Sequence, residues 1–150
     1  MSATVKFIPA DHTFAPNYLE AKKGVELLQG LYPNLAKECF SNAVYPDPCY
    51  IDNGGSMENI HCPHCGEYVS QSWWSDAFGE AYREDFWKLE VTMPCCGKGA
   101  SLNELTYKPH VGFSRFVLQV SELDGCSPEE AAKALAALYK QPFFSVVLRG

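Results

Sequence analysis

The chain has 150 residues, 47% hydrophobic, 13% aromatic and 20% charged, with a formal net charge of −6 and a sequence pI near 5.1. That length suits one domain that buries its own core, and the composition is that of a folded protein rather than a disordered one. The twelve basic residues are scattered, with no run longer than Lys22-Lys23, which argues against nucleic-acid binding because such binding draws on clustered Lys and Arg.

The stretch Met1 to Phe7 lacks the apolar run of a signal peptide, and no segment approaches a membrane span, so a cytoplasmic location is expected. In a reducing compartment an odd seven cysteines, some at short spacing, point to a metal before a crosslink.

Thr4 to Pro9 predicts a strand, because β-branched and aromatic residues dominate it and Pro9 closes it. Helical spacing of Ala21, Val25, Leu28 and Leu31 predicts a helix over about residues 16 to 30, with Gly24 as a weak point. Glu38 to Val44 and Cys49 to Asp52 follow as strand segments interrupted by Pro46-Asp47-Pro48. Asn53-Gly54-Gly55 is expected to turn the chain as a hairpin into Met57 to His61.

Near the other end, Phe113 to Ser121 predicts a strand in which Phe116, Leu118 and Val120 share a face and Val117 interrupts the polar one. A helix is expected next, with a Ser127/Glu130 capping box, Pro128 at its first position, and Ala131, Leu135 and Leu138 buried. Phe143 to Leu148 has no polar alternation and predicts a central strand.

Between these ends, Cys62-Pro63-His64-Cys65-Gly66 resembles the knuckle of zinc-ribbon proteins, in which a tight turn aims two thiolates at one metal. Met93-Pro94-Cys95-Cys96-Gly97 keeps the proline and glycine of such a knuckle but not its cysteine spacing. The resemblance, which extends to small, uncharacterised bacterial zinc-ribbon proteins, implies one structural Zn2+ held by Cys62, Cys65, Cys95 and Cys96. His61, His64 or His110 stands as an alternative for one of the adjacent pair.

Cys-Pro-His-Cys is also a thiol-disulfide active-site sequence. Such a motif opens a helix, whereas Gly66 to Ser70 has the pattern of a return strand. Cys39, Cys49 and Cys126 are isolated and expected to be inert.

After the first knuckle, Trp73, Trp74, Ala77, Phe78 and Tyr82 predict a helix following Ser72, and Trp87 to Met93 alternates as a strand. Trp73, Phe78 and Trp87 are expected to form a mini-core over the metal. Adjacent helical residues cannot share one face, so either Trp73 or Trp74 should be partly exposed and available to a partner.

Asp11, His12, Asp47, Asp52 and Asp76 form no recognisable triad. Ser41 and Ser114 lack a nucleophile elbow, and no glycine-rich phosphate loop is present.

The order of elements resembles an α+β ferredoxin-like βαβ-βαβ sandwich: one domain over 1–150, with halves at 1–59 and 108–150 and an inserted zinc-ribbon subdomain at 60–107. The expected function is a non-catalytic binding domain for a protein partner, immunity- or adaptor-like, whose acidic surface suits a basic face. A zinc-dependent enzyme with an open coordination site is the main competitor. The pattern says nothing of self-association.

Overall fold

The computed structural model describes residues 2–54, 59–124 and 128–149. In chain order the elements are β1 (Ser2–Pro9), α1 (Tyr18–Leu31), β2 (Phe40–Ile51), β3 (Asn59–His61), α2 (Gln71–Tyr82), β4 (Glu90–Thr92), β5 (Gly99–Ser101), β6 (Thr106–Lys108), β7 (Gly112–Asp124), α3 (Glu129–Tyr139) and β8 (Phe143–Arg149). The class is mixed α+β.

Four strands form one antiparallel sheet in the order β2-β7-β1-β8. The strand period of two sends Val5, Phe7, Phe116, Leu118 and Val120 to one face, where Ala21 and Leu28 of α1 and Ala131 and Leu135 of α3 bury them. Each fully buried large side chain here contributes about 1.5–3 kcal/mol.

Asn17 and Glu20 fix the start of α1 through a reciprocal capping box, with the Glu20 amide donating to Asn17 Oδ1 at 2.8 Å and the Asn17 amide to Glu20 Oε1 at 3.1 Å. Gly24 is a requirement rather than a blemish. A Cβ there would lie 2.7 Å from Leu118 Cδ1 and would collide with the Tyr139 hydroxyl, so only glycine lets α1 approach β7 and α3 this closely.

Pro46-Asp47-Pro48 does not divide β2; it shifts the register against β7 between Val44 and Cys49, the two prolines having no amide to donate.

Three expectations are corrected. Phe143 to Leu148 forms an edge strand, not a central one. Its lack of polar alternation comes from burial on both faces, Phe143 joining the helix-side core while Val146 packs with Ile8, Ile51 and Val117 on the opposite face. Val117, which interrupts the polar face in the sequence, belongs to that second cluster. The expected hairpin after Asn53-Gly54 is not a pairing of β2 with β3: β2 pairs with β7, and β3 with β6. Gly55 and Met57 lie outside the described residues.

At α3, Pro128 is the cap rather than the first helical residue, and its carbonyl accepts from the Ala132 amide at 3.0 Å. Ser127 and Cys126 lie outside the described residues. The strand expected over Trp87 to Met93 shortens to β4, because Asp85 and Phe86 take left-handed backbone angles and turn the chain as it leaves α2.

The segment from β3 to β6 packs around its own apolar cluster, in which Ile60, Val69, Trp74, Leu89, Met93, Leu102 and Tyr107 are buried. Phe113 of β7 and the partly buried Tyr50 of β2 join this cluster, so the segment seats on one end of the sheet. Asn103 clamps the seat. Its Nδ2 donates to Ala10 O at 3.0 Å and Phe113 O at 3.2 Å, and its Oδ1 accepts from the Phe113 amide at 2.8 Å.

Candidate metal centre

Two tight turns face each other within this segment. In the first, the Cys62 amide donates to Glu67 O at 2.9 Å, the Gly66 amide donates to Cys62 O at 3.0 Å, and Gly66 takes φ +76°. In the second, the Met93 amide donates to Lys98 O at 2.9 Å, the Gly97 amide donates to Met93 O at 3.0 Å, and Gly97 takes φ +73°. The two turns are the same backbone structure. Cys-Pro-His-Cys-Gly-Glu therefore corresponds position by position to Met-Pro-Cys-Cys-Gly-Lys, with Met93 in the place of Cys62 and Cys95 in the place of His64.

This correspondence answers the question that adjacent cysteines raise. The second turn offers its third and fourth positions instead of its first and fourth, and Met93, only 1% exposed, fills the vacated position with an apolar side chain.

Cys65 Sγ lies 3.2 Å from Cys95 Sγ, Cys62 Sγ lies 3.8 Å from Cys96 Sγ, and all four sulfurs fall within 4.8 Å of one another. Four thiolates at a zinc–sulfur distance of about 2.3 Å stand about 3.8 Å apart in a tetrahedron. The four sulfurs are thus close enough to hold one metal ion, with adjustments smaller than a bond length.

Among the described residues, no other set of three or more His, Cys, Asp or Glu side chains converges in this way. Cys62 is buried, and the other three are exposed.

The charge pattern fits a cation. Burial opposes ionisation of Cys62, yet the Cys65 and His64 amides, with the Cys95 and Cys65 thiols, donate toward its sulfur and bring it down to about 6. Cys95 is pushed up to about 12, first by its hydrogen bond with Cys65, then by burial, then by Cys62. Without a cation the first thiolate suppresses the next; a divalent ion at the centre removes that conflict and holds them deprotonated.

No protein-family model, curated protein or solved structure matches this chain.

The three histidines considered as ligands lie outside the cluster. The His61 ring meets Gly66 O at 3.1 Å, and the His64 ring meets Gly99 O at 2.8 Å, which ties the first turn to β5. His110 stacks on Phe144. Cys39 donates to Glu122 Oε2 at 3.0 Å, a bond that raises its pKa, and burial raises that of Cys49.

Cys62 does not open a helix. The chain returns at once to pair Tyr68 with His61, and α2 begins only at Gln71, capped by Ser70 rather than following Ser72. Ser114 is buried with its hydroxyl donating to Phe116 O at 2.7 Å, which gives it a structural role.

The aromatic support differs from expectation. Trp74, not Trp73, is the buried indole, and its Nε1 donates to the Tyr107 hydroxyl at 3.0 Å, which in turn donates to Leu102 O. Trp73 remains partly exposed, as the helical geometry requires of one of the pair. Trp87 lies outside the mini-core, 37% exposed, with its Nε1 donating to Asp47 Oδ1 at 2.8 Å and the Arg115 guanidinium 5.1 Å above its ring.

Tyr107 and Asn103 escaped the sequence reading, which named Trp74 without choosing it as the buried indole. Neither had a local signal, since Leu102 to Tyr107 mixes apolar residues with Glu104 and Thr106 and shows no pattern that singles them out.

Proposed function

We propose that the chain is a non-catalytic, protein-binding domain: a ferredoxin-like sandwich carrying an inserted zinc ribbon whose Zn2+ is structural. The observation that carries this reading is the convergence of Cys62, Cys65, Cys95 and Cys96 within 4.8 Å. Four protein thiolates complete a tetrahedron and leave no position for a reacting water.

The antiparallel order β2-β7-β1-β8 with α1 and α3 on one face supports the sandwich. The paired turns at Gly66 and Gly97 support the ribbon. The net charge of −6 and the partly exposed Trp73 support a protein partner with a basic contact face.

All three tryptophans, Trp73, Trp74 and Trp87, lie between the two turns, so their emission reports on the ribbon and, through the contacts of Trp87 with Asp47 and Arg115, on its seat against the sheet. Chelation of the metal under reducing conditions should shift that emission while the far-ultraviolet signal of the sheet is largely kept. Unchanged tryptophan emission and melting after complete metal removal would sink the structural role.

A further inference from the structure

The ribbon leaves a groove of about 420 Å³ between α2 and β4. One wall is a single face of α2, where Trp73, Ala77 and Ala81 recur at helical spacing. The floor is apolar, since Leu89 and Leu102 lie at its base with almost no exposure.

The other wall is the backbone of β4 seen edge-on, because every residue from Lys88 to Thr92 lines it. Among the described residues β4 has a partner on one side only, β5, in a two-stranded sheet. The Leu102 amide donates to Leu89 O at 2.8 Å and the Met93 amide to Lys98 O at 2.9 Å. This register turns the amides and carbonyls of Leu89, Val91 and Met93 toward β5, and those of Glu90 and Thr92 to the outer edge.

The rim has one dominant sign. Among the described residues that line the groove, Asp76, Glu80, Glu84 and Glu90 stand against Lys88. Arg83 meets Glu80 at 3.4 Å, but both side chains are about three-quarters exposed, and such a pair contributes little.

We propose that this groove binds an extended segment of a partner protein, bearing lysine or arginine at alternate positions, as an added strand on the outer edge of β4. The inference rests on the reading of the chain as a protein-binding domain and names the chemistry of its partner. An extended segment, unlike a helix, satisfies the outward backbone groups of Glu90 and Thr92. Its period of two sends one set of side chains onto the apolar floor beside Trp73 and the other toward the carboxylates. The rim favours a cationic segment and repels an acidic one.

The test uses the full, metal-loaded chain and fluorescence anisotropy of three labelled decapeptides. One alternates Lys with Val, one alternates Glu with Val, and the third is the Lys peptide N-methylated at alternate amides. Metal content is measured on every sample.

The Lys peptide should bind, more weakly as salt rises, while the Glu peptide and the N-methylated peptide should not. Two reversed rim charges in Asp76→Lys/Glu84→Lys should weaken binding on the order of tenfold. Both residues are exposed, so the variant should keep its tryptophan emission and metal.

The proposal is overturned if the Lys peptide fails to bind metal-loaded protein, if the Glu or N-methylated peptide binds equally well, or if the double variant binds unchanged. Any of these with one metal per chain leaves the structural-metal reading standing. A chain that takes up no metal removes that reading independently of the peptides.

Discussion

If Met93 truly occupies the position of a missing ligand, the site can be rebuilt by moving one cysteine along the second turn. The structural correspondence equates Met93 with Cys62 and Cys96 with Cys65, and places Cys95 where the first turn has His64. Cys95→Ala removes one of four thiolates. Structural zinc in cysteine-rich sites is held by about 10–16 kcal/mol, so one ligand in four carries about 2.5–4 kcal/mol, and binding should weaken on the order of 100- to 1000-fold.

Met93→Cys combined with Cys95→Ala restores four thiolates with the ordinary knuckle spacing. Met93 is 1% exposed, and a shorter side chain there leaves a void costing about 1–2 kcal/mol. The double variant should therefore recover to within about thirtyfold of the parent affinity, since about 1.4 kcal/mol corresponds to each factor of ten. Competition against a chromophoric chelator under reducing conditions measures all three proteins. Equal affinity of Cys95→Ala and the parent would refute the reasoning, as would a double variant no tighter than Cys95→Ala.

Gly24→Ala should destabilise the chain in denaturant titrations, because overpacking of about 1–3 kcal/mol against Leu118 and Tyr139 outweighs a helix-propensity gain of about 0.5–1 kcal/mol. Gly30→Ala, with no atom near the added methyl, should instead stabilise by about 0.5–1 kcal/mol. Tyr107→Phe leaves the Trp74 Nε1 and the Leu102 carbonyl buried without their shared partner, so a loss of about 1–3 kcal/mol in melting experiments is expected.

Burial lowers the pKa of His110 below 6.5, and its buried Nε2 has no hydrogen-bond partner among the described residues. The unfolded chain therefore takes up this proton first as pH falls. The stability contribution is full above about 6.5 and is lost as pH falls through the lowered folded value. His110→Phe should flatten that part of the stability profile relative to the parent when both carry equal metal.

Periodicity placed the main elements because most obey simple rules: Phe116, Leu118 and Val120 alternate, and Ala131 and Leu135 recur one helical turn apart. It failed where burial came from an unexpected side. A strand with apolar residues on both faces, such as Phe143 to Leu148, looks central whether it is paired on two edges or packed on two faces. Gly24 looked like a flaw because the close approach of Tyr139 is a long-range fact.

The capping box at Asn17 and Glu20 was present as a local pattern. So was the match of Met-Pro-Cys-Cys-Gly to Cys-Pro-His-Cys-Gly, which appears once the turns are aligned on proline and glycine instead of on cysteine. The choice between Trp73 and Trp74 as the buried indole depended on the partner hydroxyl of Tyr107, which no local pattern near α2 reveals.

The central claim, a closed structural metal centre, is tested most directly by metal content per chain together with X-ray absorption at the bound metal. One zinc per chain surrounded by four sulfurs is the predicted result. Three sulfurs with an oxygen ligand would contradict a closed site and point to metal-assisted chemistry. A metal-free chain with Cys62 and Cys65 oxidised would contradict metal binding altogether.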